Sequence, residues 1–228
     1  MSYWKNRVSN PNVLGPAEKA LWKKIEPLLF DLLNELEANG KIETAYKSVQ
    51  KQNLGPTMKK LDDFSEAHNT LLDIFRVYPD PKSFLKETYK FGFTENRLIY
   101  MYMACAVTMQ VLSTELFKLR LLFIMKKVDS FAVSSFNKTI NAAAPKSWPK
   151  LEPYVDRDFR NSLSHGTYAV VNKKITLFKD AKLFPPTDPK DAMSIGKFML
   201  RVKNPNVLCS CLAYVLRTWK TKSGQLRP

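Results

Sequence analysis

An all-α helical bundle with one small β-hairpin is the fold class that this 228-residue sequence predicts. Two patterns lead to it. Apolar residues recur at three- and four-residue intervals along most of the chain, which is the helical period. One short stretch, Thr167–Phe178, is instead rich in β-branched and aromatic residues around Asn172-Lys173, which reads as two strands and a tight turn. The 45% hydrophobic content is ample for a core and unlike that of a disordered chain.

The first helix is expected to start near Pro16, since proline suits a first helical turn, and to stop before Gly40. Its stripe reads Leu21, Ile25, Leu28, Leu32 and Leu36, with a kink expected at Pro27. A second run, Thr57 to Tyr78, puts Leu61, Phe64, Leu71, Leu72 and Phe75 on one face, and His68 falls on that face as a core histidine. Asp80-Pro81 opens a short helix ending before Gly92. Thr94-Glu95 opens a long apolar one reaching about Lys127, and a polar helix is expected over 130–143. Trp148-Pro149 starts another helix, whose Leu151, Val155, Phe159 and Leu163 repeat every four residues up to Gly166. After the hairpin, Asp188-Pro189 and Asn204-Pro205 each pair a capping side chain with a first-turn proline, predicting two closing helices. The second of these carries Leu208, Leu212, Val215, Leu216 and Trp219 on one side. The interruption Asn53-Leu-Gly-Pro56 divides the chain into a helical extension, 1–56, and a main domain, 57–228.

Composition narrows the chemistry. The seven glycines are scattered, with no two closer than Gly40 and Gly55, so neither a dinucleotide fingerprint nor a phosphate-binding P-loop is present. Two histidines and three cysteines are too few for an ordinary one-chain zinc site, and no cofactor or metal is expected. An odd number of cysteines and a start without an apolar run suit a reducing cytoplasm. Cys209-x-Cys211 reads as packing. The seventeen uncharged residues Leu98–Thr114 are at the lower limit for a bilayer span and are followed at once by Glu115, Lys118 and Arg120. A buried central helix fits better. Tyr100-Met-Tyr-Met103 reads as core or dimer interface.

Net charge is +15, and it is uneven: residues 129–228 hold seventeen bases and seven acids, and no acid follows Asp191. A polyanion is one natural partner, since each cation set on a phosphate releases a condensed counterion; solubility alone is the other reading.

One segment in that basic half concentrates chemistry: Asp158-Phe159-Arg160-Asn161-Ser162-Leu163-Ser164-His165-Gly166-Thr167-Tyr168. Arginine offers permanently charged planar donors for a phosphate, and histidine moves protons near neutral pH. Such groups suit RNA cleavage, with an imidazole taking the 2′-OH proton while a guanidinium meets the charge developing on phosphorus. Ser162 and Ser164 are not credible nucleophiles, because no histidine–carboxylate pair is spaced to activate them.

Arg160-Asn161-x-x-x-His165-Gly166 resembles the Arg-x(4–6)-His signature of the HEPN superfamily, all-α domains that include many metal-independent ribonucleases. The resemblance covers 57–228. It implies a HEPN-like bundle, catalytic roles for Arg160 and His165, a supporting role for Asn161, and a homodimer whose subunits face each other at the site. It also implies a toxin–antitoxin or antiviral-defence setting. The alternatives are a non-catalytic RNA- or nucleotide-binding module and an interaction subunit pairing with an antitoxin-like protein. Lys173, Lys174, Lys179, Lys182 and Tyr168 are candidate RNA contacts, or solvated charge and packing on the hairpin.

Helical geometry constrains the motif. Five positions set His165 about 140° from Arg160 on a continuous helix, too far apart to hold one phosphate. Convergence needs the helix to end near Ser164, which Gly166 suits, or a second chain to supply one partner. The bland alternative pairs Arg160 with Asp156, four residues earlier, and leaves His165 as a C-terminal capping cation.

Overall fold

Proline and glycine set the ends of the first helix as expected. In the computed structural model, which describes residues 14–42, 63, 66–68, 70–71, 95–125, 136–156, 159, 168–171, 174–177, 193–221 and 224–225, α1 spans Pro16–Ala38. Gly15 N–H donates to Glu18 Oε2 at 2.8 Å, closing the first turn. A Cβ on Gly15 would sit 2.9 Å from that oxygen, so glycine keeps the cap open. The helix stops at Asn39, followed by Gly40 at φ +63°, a left-handed position that glycine adopts without strain. Trp22, Ile25, Leu29, Leu32, Leu33 and Leu36 are buried, while Leu21 and Leu28 are only partly buried. The apolar face is therefore rotated slightly from the expected stripe, toward Trp22, whose ring meets Tyr214 edge-on at 5.5 Å.

The long apolar helix is α2, Glu95–Ile124, and it is the buried central element. Every residue from Ser113 to Leu122 is buried, including Glu115, Lys118 and Arg120. No described helix is long and apolar enough to cross a membrane. Arg120 is accommodated by donating Nη1 to the carbonyl oxygen and the Sγ of Cys209, each at 3.0 Å. Tyr102 and Met103 are core residues, while Met101 is exposed.

Two short helices follow, α3 (Phe136–Ala143) and α4 (Trp148–Val155). Ile140 and Phe136 of α3 are buried, and Phe117, Phe136 and Trp148 form an aromatic cluster. Glu35 of α1 accepts from Ser147 N–H at 3.1 Å and from Ser147 Oγ–H at 3.2 Å. This places a carboxylate at the start of α4, where the helix dipole favours it.

The helix expected over Trp148–Gly166 instead ends at Val155, because Asp156 turns left-handed (φ 46°, ψ 62°). Core partition explains the break. Leu151 and Val155 face the main core, whereas Phe159 belongs to a second cluster. Leu163 and Gly166 lie outside the described residues.

The hairpin forms as predicted: β1 (Tyr168–Val171) and β2 (Lys174–Leu177) are antiparallel, with Val171 opposite Lys174 across the two-residue turn. A third strand that the sequence did not suggest, β3 (Met193–Ser194), pairs with β2. At the other end of the described chain β4 (Lys220–Thr221) pairs with β5 (Gly224–Gln225).

The expectation of a helix starting at Asn204-Pro205 is corrected. One helix, α5, runs Ile195–Thr218 straight through Pro205. It starts at Ser194, whose Oγ accepts from Lys197 N–H at 3.3 Å, as a capping serine does. Pro205 has no N–H to give Arg201, a local cost on the order of 3 kcal/mol. The buried series Phe198, Val202, Pro205, Cys209, Leu212, Leu216 keeps helical spacing across it, and that packing outweighs the local cost. The helix expected from Asp188-Pro189, the one from Asp80-Pro81 and the boundary at 53–56 lie outside the described residues. So does most of the 57–78 run, which is helical at Asp63, Glu66–His68, Thr70 and Leu71.

These elements build two cores. The larger joins α1, the second half of α2, α3, α4 and the second half of α5. The smaller holds Met103 and Ala106 of α2, Phe159, Ile175 of β2, Met193 of β3, and Phe198 and Val202 of α5. The helix assigned by sequence to an extension thus contributes directly to the main core.

Candidate functional site

The residues on either side of the 160–167 motif are fixed by the smaller core. On its N-terminal side Phe159 is fully buried and meets Phe198 edge-on at 5.3 Å. On its C-terminal side Tyr168 opens β1, paired with Leu177, and the neighbouring strand buries Ile175 in the same cluster. Phe159 therefore packs on the first half of α5, and the hairpin meets the same core through Ile175 of β2.

Arg201 of α5 secures the N-terminal flank. Its Nε donates to Asp156 Oδ2 at 2.8 Å and its Nη2 to Oδ1 at 2.7 Å, a bidentate fork. The same guanidinium lies 4.3 Å over the Phe159 ring, within cation–π range. Phe159, itself helical, points its N–H at Asp156 Oδ1 at 3.4 Å, a long contact with the three-residue spacing of a helix N-cap. A non-glycine residue in the left-handed region carries a strain of about 1 kcal/mol, and the fork holds Asp156 there.

Of the predicted site residues, Arg160, Asn161, His165, Lys173, Lys179 and Lys182 lie outside the described residues. Tyr168 is placed by its backbone at the start of β1. Lys174 is exposed on β2 opposite Ser194. Asp156, the carboxylate that the bland reading gives to Arg160, has both oxygens engaged by Arg201.

His68 behaves as its apolar face predicts. It is 2% exposed, and its Nε2 lies 2.8 Å from Ser113 Oγ. That hydroxyl donates to the Met109 carbonyl at 2.7 Å, so it accepts the Nε2 proton of His68. Burial, reinforced by the nearby Arg120 charge, lowers the imidazole pKa from 6.5 to about 3, against a hydrogen bond with Asn206 that pulls it upward. A histidine so buried and so weakly basic is no proton carrier at neutral pH. Cys209 and Cys211 are buried thiols whose pKa values burial pushes up, in keeping with packing roles.

Sequence reasoning missed Arg201. It sits among the acid-free basic residues after Asp191, where each base reads as a candidate polyanion contact. In the fold Arg201 is paired to Asp156, and Lys203 Nζ lies 3.1 Å from Glu18 Oε1. Asp156 is 45 residues from Arg201 and Glu18 lies near the opposite end of the chain, so local spacing showed neither pair. Lys197 of the same helix is exposed.

No family model matches the sequence, and no curated protein and no solved structure matches it either.

Proposed function

We propose that the chain is a metal-independent endoribonuclease of the HEPN type, with Arg160 and His165 as catalytic residues and Asn161 in support. The observation that carries this reading is the motif Arg160-Asn161-x-x-x-His165-Gly166 itself, in the basic half of the chain. One structural fact supports it: Phe159 on one side of the segment and Ile175 of the hairpin on the other belong to one core.

The chemistry is a transesterification followed by release. His165 takes the proton of a ribose 2′-OH, and the oxygen attacks the adjacent phosphorus. The P–O5′ bond breaks, a protonated imidazole gives its proton to the leaving 5′ oxygen, and the products are a 2′,3′-cyclic phosphate and a 5′-OH. Arg160 meets the negative charge that builds on the phosphoryl oxygens. One imidazole cannot hold both protonation states at once, so a homodimer presenting two copies of His165 across a shared cleft supplies base and acid. Lys174, Lys173, Lys179 and Lys182 attract the RNA backbone, and Tyr168 flanks the bases. A growth-restricting or defence role, with or without an antitoxin-like partner, follows from the resemblance.

His165→Ala and Arg160→Ala are each expected to lower RNA cleavage in excess EDTA by about 100-fold or more, with helical circular dichroism unchanged. Cleavage that survives His165→Ala would remove the catalytic assignment and favour a binding module.

A further inference from the structure

Both long helices take part in both cores, and both change character at the same level. On α2 the smaller core ends at Ala106 and the larger begins at Leu116; on α5 the smaller ends at Val202 and the larger begins at Val207. Between those limits the buried residues of α2 are Met109, Gln110, Ser113, Thr114 and Glu115, so all but Met109 are polar. Among the described residues neither amide atom of the fully buried Gln110 has a hydrogen-bond partner, and Asn206 Oδ1 on α5 is buried without one. Ser113 and Thr114 turn their hydroxyls back onto the Met109 and Gln110 carbonyls of their own helix, at 2.7 and 3.0 Å. Asn206 hydrogen-bonds His68, whose Nε2 lies 2.8 Å from Ser113 Oγ, so the two polar stretches face each other. α5 is weakened there too, because Pro205 leaves the Arg201 carbonyl without its helical donor. Unpaired buried amides, back-bonded hydroxyls and a helix-interior proline are each weak points, and here they coincide.

Nearer the surface, ionic contacts cross the same boundary. Asp156 follows Val155 of the larger core, and Arg201, one residue before Val202 of the smaller core, grips its carboxylate at 2.7 and 2.8 Å. Lys203 likewise reaches Glu18 of α1 at 3.1 Å. Each core holds itself together by apolar burial, whereas these pairs are part-exposed, where water and salt weaken them. We infer that the layer of Gln110 and Asn206 is a seam: the smaller core opens and closes as its own cooperative unit while the larger stays folded, and the Arg201–Asp156 and Lys203–Glu18 pairs are its latch. The opening unit comprises Met103 and Ala106 of α2, Phe159, Ile175, Met193, and α5 as far as Val202. The seam does not depend on the ribonuclease reading.

Native-state amide hydrogen exchange tests the seam, and α5 is its own control because one helix carries both halves. In the wild type, amides 198–204 of α5 and 103–107 of α2 are expected to open about 100-fold more often than 208–216 and 116–122 of the same helices. Equal opening of the two halves would mean one cooperative unit and would overturn the inference, and this comparison needs no variant to fold. Asp156→Asn tolerates the left-handed backbone but loses the charge that Arg201 grips. It is expected to raise opening of the smaller core about 10-fold and to leave the larger core unchanged. Equal acceleration of both halves would make the pair a support of the whole fold, not a latch, and would overturn its assignment. Gln110→Met keeps the length of the side chain and removes the unpaired amide. It is expected to lower opening of the smaller core about 10-fold. Opening that is unchanged or increased would show that the Gln110 layer is not the weak one, which would also overturn the inference.

Discussion

Burial decides the protonation of His68. His68 is enclosed between Ser113, Asn206 and the Arg120 charge, and is held neutral down to about pH 3. In the unfolded chain it binds a proton near pH 6.5, so its contribution to stability is complete above 6.5 and is lost as pH falls from there toward 3. The loss approaches about 1.4 kcal/mol per pH unit for a single site. Urea midpoints of the wild type and of His68→Gln, taken between pH 7 and 4, are expected to fall more steeply for the wild type; parallel slopes would show that His68 is not the titrating group. The buried setting of His68 was legible from its place between Phe64 and Leu71. Its serine partner was not, because Ser113 lies 45 residues away on another helix. Arg201 was illegible for the same reason: a cation's role depends on whether a carboxylate 45 residues off reaches it.

At the scale of elements, local rules placed helix starts and stops well where the local signal had no rival. Pro16, Gly40 and Trp148 all mark ends of helices, and the β-branched and aromatic residues of Thr167–Phe178 gave the hairpin, with Val171 opposite Lys174. They failed where packing decided. Pro205 reads as a start but lies inside α5, because the buried series from Phe198 to Leu216 is continuous across it. The four-residue repeat after Leu151 reads as one helix but is divided between two cores at Asp156. A two-residue strand such as β3 has no pattern long enough to read. The end of α3 offers a test of backbone strain. Ala144 is exposed and left-handed at φ 45°, just past the last turn, where its N–H reaches the carbonyls of Ile140 and Asn141. Ala144→Gly removes the β-carbon clash at the cost of a more flexible unfolded chain, for a net gain of about 0.5 kcal/mol. A denaturant midpoint that falls instead would show that the turn is not strained.

Over the whole molecule, the larger core binds α1 to the central α2 and the second half of α5, and the smaller core carries the flanks of the motif. The fold class was readable because helical spacing runs through most of the chain. The division into two cores was not, since it depends on which face of α5 meets which partner along its 24 residues. Net charge overstated the surface available to a polyanion, because Arg201, Lys203 and the buried Arg120 face protein groups. Binding of a catalytically dead His165→Ala protein to single-stranded RNA is expected to weaken linearly on a log–log plot against salt, by about 0.7 per phosphate neutralised. Removing Lys173 and Lys174 together is expected to make that slope shallower by about one to one and a half units. A slope that does not change would place the RNA elsewhere on the molecule. The central claim, that Arg160 and His165 cut RNA by 2′-OH attack, is tested most directly by the ends of the products formed in excess EDTA. The wild type should leave 2′,3′-cyclic phosphate and 5′-OH ends, and His165→Ala should leave none. Products ending in 3′-OH and 5′-phosphate, or identical cleavage by the variant, would contradict it.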